Sequence, residues 1–199
     1  MRCGYHYDLP NRPYQQIAAR RITPLCPLFP SDDEIVCTKT DEHSDTLLAF
    51  SEPTPRSIGR ESMDALGSAS GAGVHKMMLM GPEAVLAALR RDLEESCGGG
   101  ACVTKAMDSM LEVLPLGASK GEGVKRALEL LGMRPGDCLA MGDGENDLEM
   151  LQMVRADGGV AVAVGNAVPK LKEAAQYVVA TNDEGGAAQA LRRFALGEE

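Results

Sequence analysis

The stretch Ser119–Met153, "SKGEGVKRALELLGMRPGDCLAMGDGENDLEMLQM", carries the signals that decide the fold. Ser119, followed three residues later by Glu122, is typical of a capping box, and Gly132 is a typical helix end, so a helix is predicted between them. The apolar run "CLAM" predicts a buried strand, and the apolar spacing after "GDGEND" predicts a second, short helix. The apolar face predicted for the first helix consists of Val124, Ala127, Leu128 and Leu131.

The pattern continues towards the carboxyl end. The apolar run "GVAVAVG" predicts a strand, "PKLKEAAQ" a helix that starts at Pro169, "YVVA" another strand, and Ala187–Leu196 a last helix. Continuously apolar strands that alternate with helices are typical of a parallel sheet covered on both faces. Residues 116–199 are therefore predicted to form an α/β unit of the doubly wound, Rossmann-like class.

The region before Ser119 has a different order of elements. "HKMMLM" predicts a strand, the segment after Pro82 a helix that ends at "GGG", and "ACVTKA" and "MLEVLP" two further strands. This order predicts an α+β domain over residues 1–115, whose first 20–60 residues have weak signals. In that part, a short helix is predicted at "YQQIAARRI" and strands at "EIVCTKT" and "TLLAFSE". The Pro-rich "TPLCPLFPSDDE" is predicted to be a connection.

Composition and charge exclude some classes of function. A net charge of -9 argues against a nucleic-acid partner, which is bound through Lys and Arg, but allows a small anionic substrate. The six cysteines form no C-x-x-C pair, which favours reduced thiols over a disulfide framework or a zinc site. No apolar run approaches the ~20 residues needed to span a bilayer. The amino terminus has no signal or transit pattern, so the cytoplasm is expected, or an organelle if the natural start lies upstream.

Four residues around the predicted strand end form a candidate site. Asp143 follows the strand directly, and ligands of an open parallel sheet bind beyond the carboxyl ends of its strands. Asn146 and Asp147 lie at the start of the next helix, where free backbone N–H groups favour anions. Oxygen ligands beside an anion-binding helix end predict Mg²⁺ together with a bound phosphate. Lys120, at the first position of its own helix, can neutralise a phosphate oxygen.

Each signal also has a simpler interpretation. A single Lys at a helix start is most often a solvated side chain, and a G-D-G sequence after a strand is often only a turn. An EF-hand is excluded because Leu148 stands where that calcium loop needs Gly. A thiamine-diphosphate site also opens with G-D-G, but Asn166 comes early for its Asn and the chain is short for such an enzyme.

Taken together, "SKGEGVKRALELLG", "GDGENDLEM", "VGNA" and "TNDEGG", in this order, resemble the haloacid dehalogenase superfamily. They are most similar to its Cof-type, class IIB sugar phosphatases, and the resemblance covers Lys76–Leu196. It implies a partial doubly wound core with an α+β cap that sets substrate choice. It also implies Mg²⁺-dependent hydrolysis of phosphate monoesters of small metabolites.

Residue by residue, Lys120 matches the family's phosphate-clamping Lys and Asp143 its magnesium-binding Asp. Asp147 matches the second acid of the same motif, which supports the metal site, and Asn146 matches an Asn that contacts the substrate phosphate. The resemblance implies supporting roles for Asn166 and Asn182.

The chain departs from the family at one motif. Members begin with an apolar strand that ends in D-x-D-G-T/S and supplies the nucleophilic Asp, and no such motif occurs in this sequence. The acids at 41–46, "DEHSDT", have no buried strand before them and have the wrong spacing, and those near Asp8 fit less well. Whether the isolated chain is an enzyme is therefore uncertain, and we expect it to be inactive or impaired.

Two explanations remain open for this departure: a truncated enzyme and a non-catalytic relative with a weak metal or phosphate site. An apolar strand ending in D-x-D-G in the coding sequence upstream of Met1 would favour the first. An exposed sheet edge, left without the partner strands, is expected to promote self-association.

Overall fold

The computed structural model describes residues 28–31, 34–68 and 75–198. It divides into two compact units, residues 1–117 and 118–199. The strands are Leu28–Ser31 (β1), Glu34–Cys37 (β2), Arg56–Ser57 (β3), Lys76–Met80 (β4), Ala101–Met107 (β5), Met110–Pro115 (β6), Leu139–Gly142 (β7), Val160–Ala163 (β8) and Tyr177–Val178 (β9). The helices are Glu42–Ala49 (α1), Gly59–Ser68 (α2), Glu83–Cys97 (α3), Lys120–Leu131 (α4), Leu148–Ala156 (α5), Pro169–Ala174 (α6) and Gly186–Ala190 (α7). Within these residues, no helix combines the length and the apolarity needed to cross a bilayer.

The first unit is built on a six-stranded sheet with the order β3-β2-β1-β4-β6-β5. Strand β4 is apolar at consecutive positions because both of its faces are buried. Met77 and Leu79 pack with residues of α3, whereas Met78 and Met80 pack with Leu47 of α1. The strand–helix–strand–strand order predicted for residues 76–115 is confirmed, with α3 ending at Gly98 in the left-handed conformation.

Two predictions for the earlier part of this unit are wrong. The segment "TLLAFSE" falls largely in helix α1 and not in a strand, because Asp41 caps that helix. The Asp41 side chain accepts the N–H of His43 at 2.9 Å, and the Ser44 hydroxyl accepts the N–H of Asp41 at 2.9 Å, which completes a capping box. The Pro-rich connection contains strand β1.

The buried strand β2 precedes the acids at 41–46, contrary to the sequence interpretation, but Asp41 is occupied as a helix cap. The helix predicted at residues 14–22 and the acid at position 8 lie outside the described residues.

The second unit contains a parallel sheet with the order β7-β8-β9. Its core is formed by small and branched apolar residues, with Leu151 of α5 and Leu171 of α6 fully buried against the strands. The predicted sequence of elements is confirmed from α4 to α7, and the last helix continues from α7 into a π-helical segment, Leu191–Leu196. This strand and helix arrangement is the partial doubly wound α/β class expected from the sequence.

Helix α4 begins and ends as predicted. Ser119 accepts the N–H of Glu122 at 3.1 Å, and Gly132 closes the helix with φ +67°. Helix α4 packs along α5, and its apolar face is only partly buried, since Leu128 is buried whereas Leu131 is 70% exposed. Helical spacing predicted the stripe correctly but overestimated how much of it this unit covers.

Candidate functional site

The candidate site is built around the loop that leaves β7. Strand β7 ends at Gly142, a single 3₁₀ turn spans Glu145–Asp147, and α5 begins directly afterwards at Leu148. Backbone bonds tie this loop to the loop that follows β8, since Val168 donates its N–H to the carbonyl of Asp143 at 2.9 Å. The loop is therefore held at the carboxyl edge of the sheet, where the sequence placed it.

Asp147 is the buried centre of the loop. Only 4% of its side chain is exposed, and its Oδ2 accepts the backbone N–H groups of Asp143 and Gly144, each at 3.0 Å. Gly142 makes this arrangement possible, because a Cβ at that position would lie 2.5 Å from the Cβ of Asp147. The carboxylate thus folds back over the strand end and holds the turn closed.

Lys120 reaches the same carboxylate from the first position of α4. Its Nζ lies 2.6 Å from Asp147 Oδ1 and 3.4 Å from Asn146 Oδ1. About half of the lysine side chain, 51%, is exposed, so the ion pair borders on solvent. An ammonium group held this way can offer its remaining N–H donors to an anion while Asp147 keeps it in place.

Asp143 has the opposite character. Its side chain is exposed, and within the described part of the chain its carboxylate makes no hydrogen bond, although its backbone N–H and carbonyl are both bonded. The structure therefore brings all four predicted residues into one loop and one helix end: Lys120, Asp143, Asn146 and Asp147. It also shows a difference between the two acids. The carboxylate of Asp147 is buried and both of its oxygens accept hydrogen bonds, whereas the carboxylate of Asp143 is exposed and accepts none within the described residues.

The other two asparagines highlighted by the sequence lie on neighbouring loops. Asn166 Oδ1 accepts the N–H of Asn182 at 2.9 Å, and Gly165 donates its N–H to the carbonyl of Ala180 at 3.0 Å. Both contacts join the loop after β8 to the loop after β9. Asn166 thus links two loops of the carboxyl edge, which agrees with a supporting role.

The carboxylate oxygens of Asp143 and Asp147 differ in how well they suit a magnesium ion. Mg²⁺ is commonly held by one or two carboxylates, with waters and substrate phosphates completing six oxygens. Asp143 fits this mode, because its carboxylate oxygens are exposed and accept no hydrogen bond within the described residues. Both oxygens of Asp147 are already engaged by three donors, and in the described residues no group of three or more His, Cys, Asp or Glu side chains could hold a metal. Direct ligation by Asp147 stays a prediction.

Sequence reasoning missed the structural use of the glycines next to these residues. The N–H of Gly144 is a donor to Asp147, and Gly142 leaves the space that this carboxylate fills. The signal available in the sequence was an acidic residue three positions after Gly144, from which a carboxylate can reach back to the N–H at the start of the turn.

Comparisons with known proteins relate the chain to one family of hydrolases. Residues 17–191 match the family described as haloacid dehalogenase-like hydrolase. Over 85 residues the chain is 48% identical to the putative phosphatase YkrA of Bacillus subtilis, which covers 43% of this chain and 32% of that protein. Over 134 residues it is 34% identical to the HMP-PP phosphatase of Yersinia enterocolitica, covering 67% and 46%.

A third relative has a different name. Over 126 residues the chain is 40% identical to the chloroplastic endoribonuclease YBEY of Arabidopsis thaliana, covering 63% of this chain and 21% of that protein. The chain thus spans less than half the length of each of these three curated relatives.

Solved structures show the same fold. A haloacid dehalogenase-like hydrolase from Bacteroides thetaiotaomicron superimposes with a TM-score of 0.72 at 28% identity, covering 95% of this chain and 68% of that one. A sugar phosphatase of subclass IIB superimposes with a TM-score of 0.74 at 21% identity, covering 96% and 69%. At that identity the second likeness is evidence for the fold alone.

Proposed function

Because this chain belongs to the haloacid dehalogenase-like hydrolases, we propose that it carries part of a phosphatase site for small phosphorylated metabolites such as sugar phosphates. The proposed reaction is Mg²⁺-dependent hydrolysis of a phosphate monoester. The observation that supports it best is the Lys120 ammonium held 2.6 Å from Asp147 beside the exposed carboxylate of Asp143. A cation and a free carboxylate at one sheet edge suit a phosphate that arrives with a metal ion.

In this scheme each residue has a separate task. Lys120 binds a phosphate oxygen and stabilises the negative charge that builds on it, while Asp147 and the amide of Asn146 orient the ammonium. Asp143 would hold Mg²⁺, which supplies charge neutralisation of the phosphate when bound. Asp147 supports the metal site by accepting the backbone N–H groups of Asp143 and Gly144, which holds this part of the loop in place.

The nucleophile is the part of the reaction that this sequence does not provide. The family's route passes through a carboxylate of D-x-D-G-T/S, and the 199 residues contain no such motif after an apolar strand. In this scheme Asp143 is assigned to the metal, so the attacking carboxylate has to come from another residue. We therefore propose that this chain by itself is inactive or strongly impaired.

Turnover assays test both statements. Release of inorganic phosphate is measured from p-nitrophenyl phosphate and a panel of sugar phosphates, with Mg²⁺ and with EDTA, for the unmodified chain and for Asp143→Ala. The expected result is no release above that of the variant. Mg²⁺-dependent release that Asp143→Ala abolishes would refute the proposed inactivity while supporting the phosphatase assignment.

A second candidate function is a non-catalytic member of the family that binds phosphate or metal, and the missing nucleophile motif favours it. A measurement of phosphate and Mg²⁺ binding distinguishes such a protein from a chain that binds neither. Titration of Mg²⁺ and inorganic phosphate, followed by NMR at Lys120 and Asp143, is expected to perturb both residues. An unperturbed spectrum at millimolar phosphate would contradict both candidate functions.

Three further statements belong to the same proposal. We assign residues 1–115 to a cap that sets substrate choice and residues 116–199 to the carboxyl-terminal half of the core. We assign the cytoplasm as compartment, with an organelle as the alternative, and the free thiols of Cys37, Cys97 and Cys138 fit a reducing compartment. Strand β7 pairs only with β8 among the described strands, so we propose self-association through that edge, which light scattering can test.

A further inference from the structure

The position of Lys120 depends on how closely two helix starts approach each other. Lys120 is the first residue of α4, and Asp147 directly precedes α5. The two side chains, 27 positions apart in the sequence, therefore meet only if the first turns of α4 and α5 lie side by side. The residue next to Lys120, Gly121, is buried at this approach.

Gly121 has no room for any side chain. A Cβ at this position would lie 2.8 Å from Glu149 Cγ, 2.9 Å from Glu149 Cδ and 3.1 Å from Glu149 Cβ. Rotation of the glutamate side chain can move Cγ and Cδ, but Cβ is fixed by the backbone of α5. The helices must therefore separate before position 121 can accept a methyl group.

We propose that Gly121 is a positioning residue for the phosphate site: its missing side chain, packed against the stem of Glu149, sets the distance between Lys120 and Asp147. The role of that lysine in phosphate binding rests on the proposed function, whereas the contact between the two helices does not. The rest of α4 provides an internal comparison, because Gly123 in the same helix has nothing within 4 Å of its Cβ position.

The size of the displacement shows why this contact matters. Ordinary van der Waals contact begins at 3.4 Å, so in an alanine variant the 3.1 Å approach to Glu149 Cβ must grow by about 0.3 Å even when the rest of the glutamate rotates away, and the 2.8 Å approach to Cγ must grow by about 0.6 Å when it does not. Functional groups must be held to within ~0.5 Å of their working geometry. A shift of this size at α4 therefore moves the ammonium relative to both Asp147 and Asn146.

Glu149 offers a way to reverse the effect. Its side chain is exposed, and within the described residues it makes no hydrogen bond or ion pair, so its truncation removes no other contact of that kind. Glu149→Gly deletes all three atoms that crowd position 121: Cβ, Cγ and Cδ. With no side chain left at position 149, the two helices can keep their original separation.

The experiment compares the full chain with Gly121→Ala, Gly123→Ala, Glu149→Gly and the double variant Gly121→Ala/Glu149→Gly. The first readout is the ¹³C chemical shift of the Asp147 side-chain carboxyl, which reports its contact with Lys120. The second is the affinity for inorganic phosphate in the presence of Mg²⁺, and circular dichroism checks that each variant is folded.

Gly121→Ala is expected to shift the carboxyl signal and to weaken phosphate binding roughly tenfold, given that a 1 Å misplacement can cost about 100-fold. The double variant should recover most of both, and Gly123→Ala and Glu149→Gly should match the unmodified chain in both readouts. The same effect from Gly121→Ala and Gly123→Ala, or no recovery in the double variant, would overturn the proposal. If the unmodified chain binds no phosphate, the proposed function fails, while the carboxyl signal still decides whether Gly121 sets the Lys120–Asp147 contact.

Discussion

Replacement of Asp147 by alanine is expected to destabilise the chain through the loop rather than through the ion pair. The substitution leaves the N–H groups of Asp143 and Gly144 without the acceptor that now lies 3.0 Å from each. A buried donor without a partner costs about 1–3 kcal/mol, and the Gly144 amide is buried whereas that of Asp143 is partly exposed, so the two together amount to about 2–4 kcal/mol. Lys120 is half exposed, so loss of the ion pair adds at most about 1 kcal/mol.

Asp147→Asn is the matched control for this prediction. Its side-chain oxygen can still accept the two backbone N–H groups, but its amide nitrogen then faces the ammonium of Lys120. Only the charge pair and its hydrogen bond are lost, so the expected cost is about 1 kcal/mol. The alanine variant should therefore be the less stable of the two by roughly 2–4 kcal/mol, the cost of the two unsatisfied donors.

Two measurements check the order of these variants. Urea unfolding is followed by far-UV circular dichroism, because the chain has no Trp. Amide hydrogen exchange at Gly144 reports the loop itself and should accelerate in Asp147→Ala but much less in Asp147→Asn. Equal stability of the two variants, or unchanged exchange at Gly144 in Asp147→Ala, would show that Oδ2 does not hold the loop.

Three further predictions concern single residues. Gly142→Ala should expel the Asp147 carboxylate, since the new Cβ would lie 2.5 Å from its Cβ, and accelerated exchange of the loop amides would reveal this; slow exchange would contradict it. Ser119→Ala removes the acceptor for the first turn of α4 and should cost about 1 kcal/mol in urea unfolding, whereas no change would mean that this cap is not needed. Burial raises the pKa of the Cys37 and Cys97 thiols, so a thiol reagent at pH 8 should reach these two only in urea; peptide mapping that finds rapid labelling of either one in the folded chain would refute the buried positions.

The part of the fold that the sequence predicted well has strong local signals. Helix α4 has a capping Ser119 and a Gly132 in the left-handed conformation, and both act at short range. Its exposed Leu131 shows the limit of the same reasoning. Helical spacing reports which residues share a face, but not whether another element covers that face.

The wrong prediction at residues 46–52 has a comparable physical cause. The run "TLLAF" alone suits a strand, but the decision lies upstream, where Asp41 and Ser44 satisfy each other's backbone N–H groups at the helix start. A capping interaction of this kind needs only four residues, so it was available in the sequence as "DEHS". In a helix of only eight residues, the capping interaction at Asp41 outweighs the hydrophobic pattern and determines the secondary structure.

The candidate site was predictable as a group of residues but not as a set of contacts. The strand-end position of Asp143 and the helix-start position of Lys120 follow from local rules, so their general location was predictable. The pairing of Lys120 with Asp147 was not, because it depends on the close approach of two helices at Gly121 and Glu149. That approach is a tertiary contact, and a glycine that permits it has no distinctive pattern in a single sequence.

Burial explains why two aspartates of one short motif have different tasks. A carboxylate that is 4% exposed is stable in its charged form only with several donors around it, and Asp147 has three. To take on a metal ion, it would have to release Lys120 or share one carboxylate between two cations. Asp143 faces solvent and its carboxylate has no hydrogen-bond donor to release within the described residues. In the proposed function the metal chemistry of the loop therefore falls to Asp143, and Asp147 holds the geometry on which that chemistry would depend.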